Sequence, residues 1–143
     1  MTAMKSQLNH ITAKVLMVGP DLVLHGGIVS VVKGYLEGGL PQACDGFGYF
    51  GTGVGSSKLG KSAAFARALV RYRRIVPEYD IVHLHISARG SYKRKSIMAR
   101  MAHKAGKRVI LHDHDGEFAK AFEEGGDDYR RDVRETFGLA DRV

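Results

Sequence analysis

A chain of 143 residues, 44% hydrophobic and 26% charged, is long enough to bury one core and has the make-up of a folded domain, which excludes disordered and fibrous classes. Cys44 is the only cysteine, so no internal disulfide can form and a reducing compartment is expected. The net charge of +7 is concentrated between Lys58 and Arg108, where fourteen Lys and Arg stand against Glu78 and Asp80. A block this basic attracts nucleic acid, an anionic membrane face or phosphorylated ligands.

No apolar run follows the first lysine, so no secretory signal is expected, and no stretch reaches the ~18 apolar residues of a membrane span. A cytoplasmic location is expected, with basic helices able to rest on the inner face of the membrane. Residues 1–13 read as an extension and residues 14–143 as the domain.

In chain order, Lys14–Val18 is a short apolar run closed by Gly19-Pro20, which predicts a buried strand. Ile28, Val31, Val32, Tyr35 and Leu36 follow at helical spacing until Gly38-Gly39. Phe47–Phe50 is a second strand whose glycines weaken the pattern. Phe65, Leu69, Tyr72 and Val76 mark a helix with Arg67, Arg71 and Arg74 on its other face, stopped by Pro77. Asp80–Ile86 is the third strand.

Ser91 can cap the next helix, with Ile97, Met101 and Ala105 inside and Lys93, Arg94, Lys95, Arg100 and Lys104 mostly outside; Gly106 closes it. Arg108–His112 is the fourth strand, followed by helical stretches over 118–124 and 128–137. The closing Asp141-Arg142-Val143 reads as the opening of a fifth strand, so the chain is expected to stop inside its domain. Alternating strands and helices predict an α/β fold, a Rossmann-like doubly wound parallel sheet.

Ligands of such sheets gather beyond the carboxyl ends of the strands. Three groups lie there: His25-Gly26-Gly27, where helix N–H groups can face an anion; His85-Ile86-Ser87 with Arg89; and His112-Asp113-His114-Asp115-Gly116. Arg89 and Arg94 beside a helix N-terminus make a pocket for phosphate. Strand alternation sets His83 with His85, and His112 with His114. Such pairs near Asp113 and Asp115 can serve a zinc or di-metal hydrolase, but no H-E-x-x-H, cysteine cluster or further ligand array accompanies them, and no metal is expected. A histidine at a strand tip can instead orient or stabilise a reacting group near neutral pH. Gly55–Ser62, GSSKLGKS, also fits the phosphate-binding pattern G-x-x-x-x-G-K-[ST], which offers a P-loop nucleotide hydrolase as an alternative. A basic nucleic-acid or membrane-surface module is a further alternative, without a nucleic-acid motif or stacking platform to support it.

VLMVGP…HGGIVSVVKGYL, DIVHLHISARGSYKRKSIMARMAHKAGKRVILHDHDGEF and the final ADRV together resemble the N-terminal domain of glycosyltransferase family 4, from about Lys14 to Val143. The resemblance implies one half of a two-domain GT-B enzyme, retaining and dependent on a nucleotide sugar such as a UDP- or GDP-sugar, with no metal or other cofactor. It implies that His114 is the catalytic cleft histidine and that Gly26 and Gly27 lie near the donor diphosphate. His85, Arg89 and Arg94 would line the acceptor side, with His112 and Gly116 in secondary positions. Aspartate at 115 stands where the family often has glycine. The implied partners are the nucleotide sugar and a sugar or lipid-linked acceptor, with no nucleic acid. The family's donor-binding C-terminal domain has no counterpart here, and Glu117, Glu123 and Glu124 are not its glutamate pair, so the chain alone is expected to be inactive.

Overall fold

A computed structural model describes residues 9–53 and 57–143. In order the elements are β1 (Ile11–Gly19), α1 (Gly27–Glu37), α2 (Leu40–Ala43), β2 (Cys44–Gly51), α3 (Lys58–Ile75), a 3-10 turn (Val76–Glu78), β3 (Ile81–Ile86), α4 (Gly90–Lys104), β4 (Arg108–Asp113), α5 (Phe118–Glu124) and α6 (Asp127–Leu139). The four strands form one parallel sheet in the order β2-β1-β3-β4. This is the Rossmann-like α/β fold expected from the sequence. The bond from Leu111 N–H to Arg142 O, 3.0 Å, sets the last residues alongside β4 in parallel.

The chain moves outward from β1 to β2, then crosses back over β1 to reach β3. Right-handed crossovers therefore put α1 on one face of the sheet and α3 and α4 on the other. On the α3/α4 face, Leu16, Val18, Val82, Leu84, Ile86, Val109 and Leu111 meet Tyr72, Met98, Ala99 and Ala102, with Phe118 and Val133 completing the core. Tyr72 Oη donates to Met98 O at 3.0 Å, so α3 and α4 are joined by a buried polar bond as well as by packing. Tyr92 Oη donates to Asp132 Oδ2 at 2.6 Å, and Arg100 Nη2 to Asp132 Oδ1 at 2.7 Å, holding α6 against α4.

Three local expectations are corrected. First, α4 buries Tyr92, Lys95, Ser96, Met98, Ala99 and Ala102, while Ile97 is 44% exposed. Its inward stripe runs through i, i+3, i+4 and i+7 from Tyr92, because the helix packs against both the sheet and α6; Lys95, expected on the solvated face, is 3% exposed. Second, Ser91 lies inside α4, and the residue at its N-cap is Arg89 at φ 65°. Third, α1 turns Val29 and Val32 inward and leaves Val31 exposed.

The glycines of β2 have a packing reason. A Cβ at Gly48 would run into the Tyr79 phenol, and one at Gly46 would crowd the Lys14 side chain. Two larger side chains lie across that edge strand only because it is bare.

Candidate functional site

Strand order reverses between β1 and β3, and the first turn of α1, the loop after β3 and the loop after β4 all follow the carboxyl ends of strands on either side of that point. Gly26 sits at the N-cap of α1 with φ 148°, a conformation that disfavours a side chain. The helix has no side-chain cap and no acidic residue in its first turn, and a Cβ at Gly26 or Gly27 would meet nothing within 4 Å. Open space thus faces the uncapped donors at the positive end of the helix dipole.

The four strand histidines share the α1 face. β3 and β4 pair with His85 directly opposite His112, and His114 N–H donates to Ile86 O at 3.0 Å, prolonging the ladder by one rung. His83 Nε2 lies 3.3 Å from His112 Nδ1, and His85 Nδ1 lies 2.7 Å from His114 Nε2. The rings stack: His112 and His114 have centroids 4.2 Å apart, His83 and His85 4.6 Å. Tyr35 of α1 covers the cluster, its ring centroid 6.0 Å from that of His83 and 6.2 Å from that of His112.

This packing keeps protons off. Burial, and after it His112 and His114, push the His83 imidazole down to about 4. His85 is fully buried and is pushed far lower still, first by burial and then by His83, His114, His112 and the Lys95 ammonium. His114, only partly buried, is lowered by burial and by His112, against an opposing pull from Asp113. At neutral pH these three are uncharged imidazoles, able to hydrogen-bond a hydroxyl or give a lone pair to a cation.

Gly116 is exposed in the turn that leads from His114 to α5. Asp115 organises this turn: its carboxylate accepts from Ala88 N–H at 3.1 Å and Glu117 N–H at 3.0 Å, tying the loop after β4 to the loop after β3. Arg89 is the only non-glycine residue with positive φ among the described residues. With Gly90, Lys93, Ala121, Glu124, Gly125 and Tyr129 it lines a cavity of about 480 Å³. Arg94 is exposed on the first turns of α4 near Gly90. Lys95 has no carboxylate partner among the described residues, and burial, then Arg94, lowers its ammonium to about 8.

The expected residues thus fall into two groups. His85, His112 and His114 are brought together, whereas Arg89 and Arg94 belong to the start of α4 and the cavity beside it. Sequence spacing paired the histidines within each strand but not across strands, and it missed Asp115 as a loop tie, Tyr35 as a cover and Lys95 as a buried cation. The first two residues of GSSKLGKS, Gly55 and Ser56, lie outside the described residues. In the part that is described, Ser57 caps α3: its Oγ accepts from Gly60 N–H at 2.9 Å and its carbonyl from Lys61 N–H at 2.8 Å. Two donors that a phosphate cradle would aim at its ligand are committed within the helix.

No family model matches the sequence, and no curated protein is similar enough to it to serve as a relative.

Proposed function

We propose that this chain is the acceptor-side domain of a retaining glycosyltransferase, moving a sugar from a nucleotide-sugar donor to a hydroxyl acceptor. The observation that carries the proposal is the meeting of His114 and His85, 2.7 Å apart, at the carboxyl ends of the neighbouring strands β4 and β3, of which β3 borders the switch point. The ordered resemblance to family 4 supports it from the sequence side.

In this reading His114 is the catalytic residue. Its uncharged ring, steadied by His85, hydrogen-bonds the sugar being transferred at the reacting centre. The uncapped N–H groups after Gly26 and Gly27 attract the departing diphosphate, and Arg89 and Arg94 hold an anionic group on the acceptor. Such transfer needs positioning and electrostatic stabilisation of a leaving diphosphate and a cation-like sugar, which a second domain across the cleft would complete.

Amide NMR of the labelled chain tests the proposal. UDP, GDP, their sugars and simple sugar phosphates, at millimolar concentration, are expected to move the Gly26, Gly27 and His114 signals. No movement there with any of these ligands would overturn it; magnesium-dependent ATP binding lost in Lys61→Ala would replace it with the nucleotide-hydrolase alternative.

A further inference from the structure

The histidine cluster contains more ligating capacity than glycosyl transfer uses. Nitrogen atoms of His83, His85 and His112 all lie within 4.8 Å of one another. His83 and His85 leave β3 on one face, two residues apart, and His112 stands opposite His85 on β4, so the triad rests on two hydrogen-bonded strands rather than on loops. A tetrahedral ion with metal–nitrogen bonds of about 2.0–2.1 Å holds its ligand nitrogens about 3.4 Å apart. His83 Nε2 and His112 Nδ1 are already 3.3 Å apart.

The second observation concerns His85. Its Nδ1 is engaged by His114, while its Nε2 is buried and has no hydrogen-bond partner among the described residues. If His85 donates its Nδ1 proton to His114, the orphan Nε2 is a bare lone pair inside the protein, which is the form a metal ligand takes. Histidine ligands commonly hold their second ring nitrogen on such an outer partner, which sets the tautomer and aims the ring. His114 supplies that partner here. With no ion, either tautomer strands a buried polar atom at a cost.

We propose that His83, His85 and His112 form a three-nitrogen site for a divalent transition ion of the zinc class, with His114 positioning His85 from behind. Three imidazoles without a carboxylate select zinc, cobalt, nickel or copper over magnesium and calcium. Tyr35 shields the site on the α1 side, with ring centroids 6.0 Å from His83 and 6.1 Å from His85. The His83 and His112 planes are now within 11° of parallel, so these rings turn about χ2 as their lone pairs converge on the ion. That torsion is soft in histidine, and both side chains are partly exposed. Three protein ligands leave one coordination position for water or an exchangeable oxygen ligand.

Binding of the metal alone tests this, independently of any glycosyl ligand. The chelator-treated chain, titrated with cobalt(II), is expected to bind one ion at micromolar concentration or tighter, with the intense visible absorption of four-coordinate cobalt, and to release it to zinc. His83→Gln and His112→Gln, on partly exposed side chains, are each expected to weaken binding at least tenfold. His103→Gln, on the exposed side of α4, should leave it unchanged. Imidazole ¹⁵N NMR of the unsubstituted chain with zinc checks the same point without mutation: the resonances of His83, His85 and His112 should shift and those of His25 and His103 should not. Absence of micromolar binding, a weak six-coordinate spectrum, or binding indifferent to both His83→Gln and His112→Gln would overturn the site. Because the readout is the ion, a failed metal test leaves the nucleotide-sugar proposal standing, and the reverse also holds.

Discussion

The two faces of this sheet are built from the same strands by opposite chemistry. Along β3, Val82, Leu84 and Ile86 point toward α3 and α4 into an apolar core, while His83 and His85 between them point toward α1. Along β4, Val109 and Leu111 join that core, and His112 turns the other way. One face is held by area removed from water; the other stacks imidazoles that must stay uncharged to stay there. The first should be costly to trim at any pH, and the second should be sensitive to protons. The apolar core and the imidazole cluster are thus separated by a single residue step along each strand.

The largest expected effect tests the apolar face. Leu84 is fully buried in the core, so Leu84→Ala should cost about 3 kcal/mol of unfolding free energy, measured by urea denaturation. His83→Ala, one step along the strand, should cost less than half as much at pH 7.5. Equal costs at the two positions would break the distinction between the faces.

Acid should expose the other face. His83 titrates near 6.5 when unfolded and at about 4 when folded, so the unfolded chain binds more protons between those values. Its contribution is therefore neutral above pH 6.5 and becomes destabilising as pH falls toward 4, by on the order of 2–3 kcal/mol. His85, pushed in the same direction, steepens the loss. Denaturation with a chelator present, stepped from pH 7.5 to 4.5, should show this decline, and His83→Gln should flatten it. A flat profile in the unsubstituted chain would show that the imidazoles do not carry the burial penalty assigned to them.

Much of this architecture is legible in the sequence. Gly19-Pro20, Pro77 and Gly106 punctuate it at or beside the true element ends, and Gly106 indeed takes positive φ. What stayed hidden depends on tertiary context. The inner stripe of α4 is built from Tyr92, Lys95, Ser96 and three small or flexible apolar residues, so its hydrophobic signal is weaker than that of exposed Ile97. Likewise, the i, i+2 spacing shows that His83 and His85 share a face. Only the adjacency of β3 and β4, and a register that sets His85 against His112, brings the two strands' histidines together. Register is a property of the assembled sheet, and no local pattern encodes it. The short α2, four residues with Pro41 near its start between a glycine pair and a strand, is too brief to carry a helical period.

Lys95 is the charged exception on the side of α4 that faces inward. Its ammonium titrates near 10.5 when unfolded and at about 8 when folded, so the unfolded chain binds the proton more tightly, and the penalty is fully present below pH 8. Lys95→Met should therefore raise stability at pH 7 by roughly 2 kcal/mol, an advantage that shrinks as pH climbs toward 10.5. Thermal melts at pH 7 and pH 10 measure both parts. A destabilised Lys95→Met variant would mean that the ammonium has a compensating partner.

The smallest expected effect separates stability from function at the start of α4. Arg89 holds φ 65° and ψ −122°, a region that costs a residue with a Cβ on the order of 1 kcal/mol and costs glycine little. Nothing about the folding of α4 requires arginine there, since the cap makes no side-chain hydrogen bond. Arg89→Gly should therefore leave stability unchanged or raise it by up to about 1 kcal/mol, because relief of strain is opposed by the greater entropy of the unfolded glycine. If the guanidinium serves an anionic acceptor, the same variant should weaken binding of sugar phosphates at least several-fold in the NMR titration while leaving the shifts at Gly26 and Gly27 in place. A variant that loses stability without losing binding would assign Arg89 to the architecture of the loop. One that gains stability and loses binding would mean the strain persists because the side chain it carries is used.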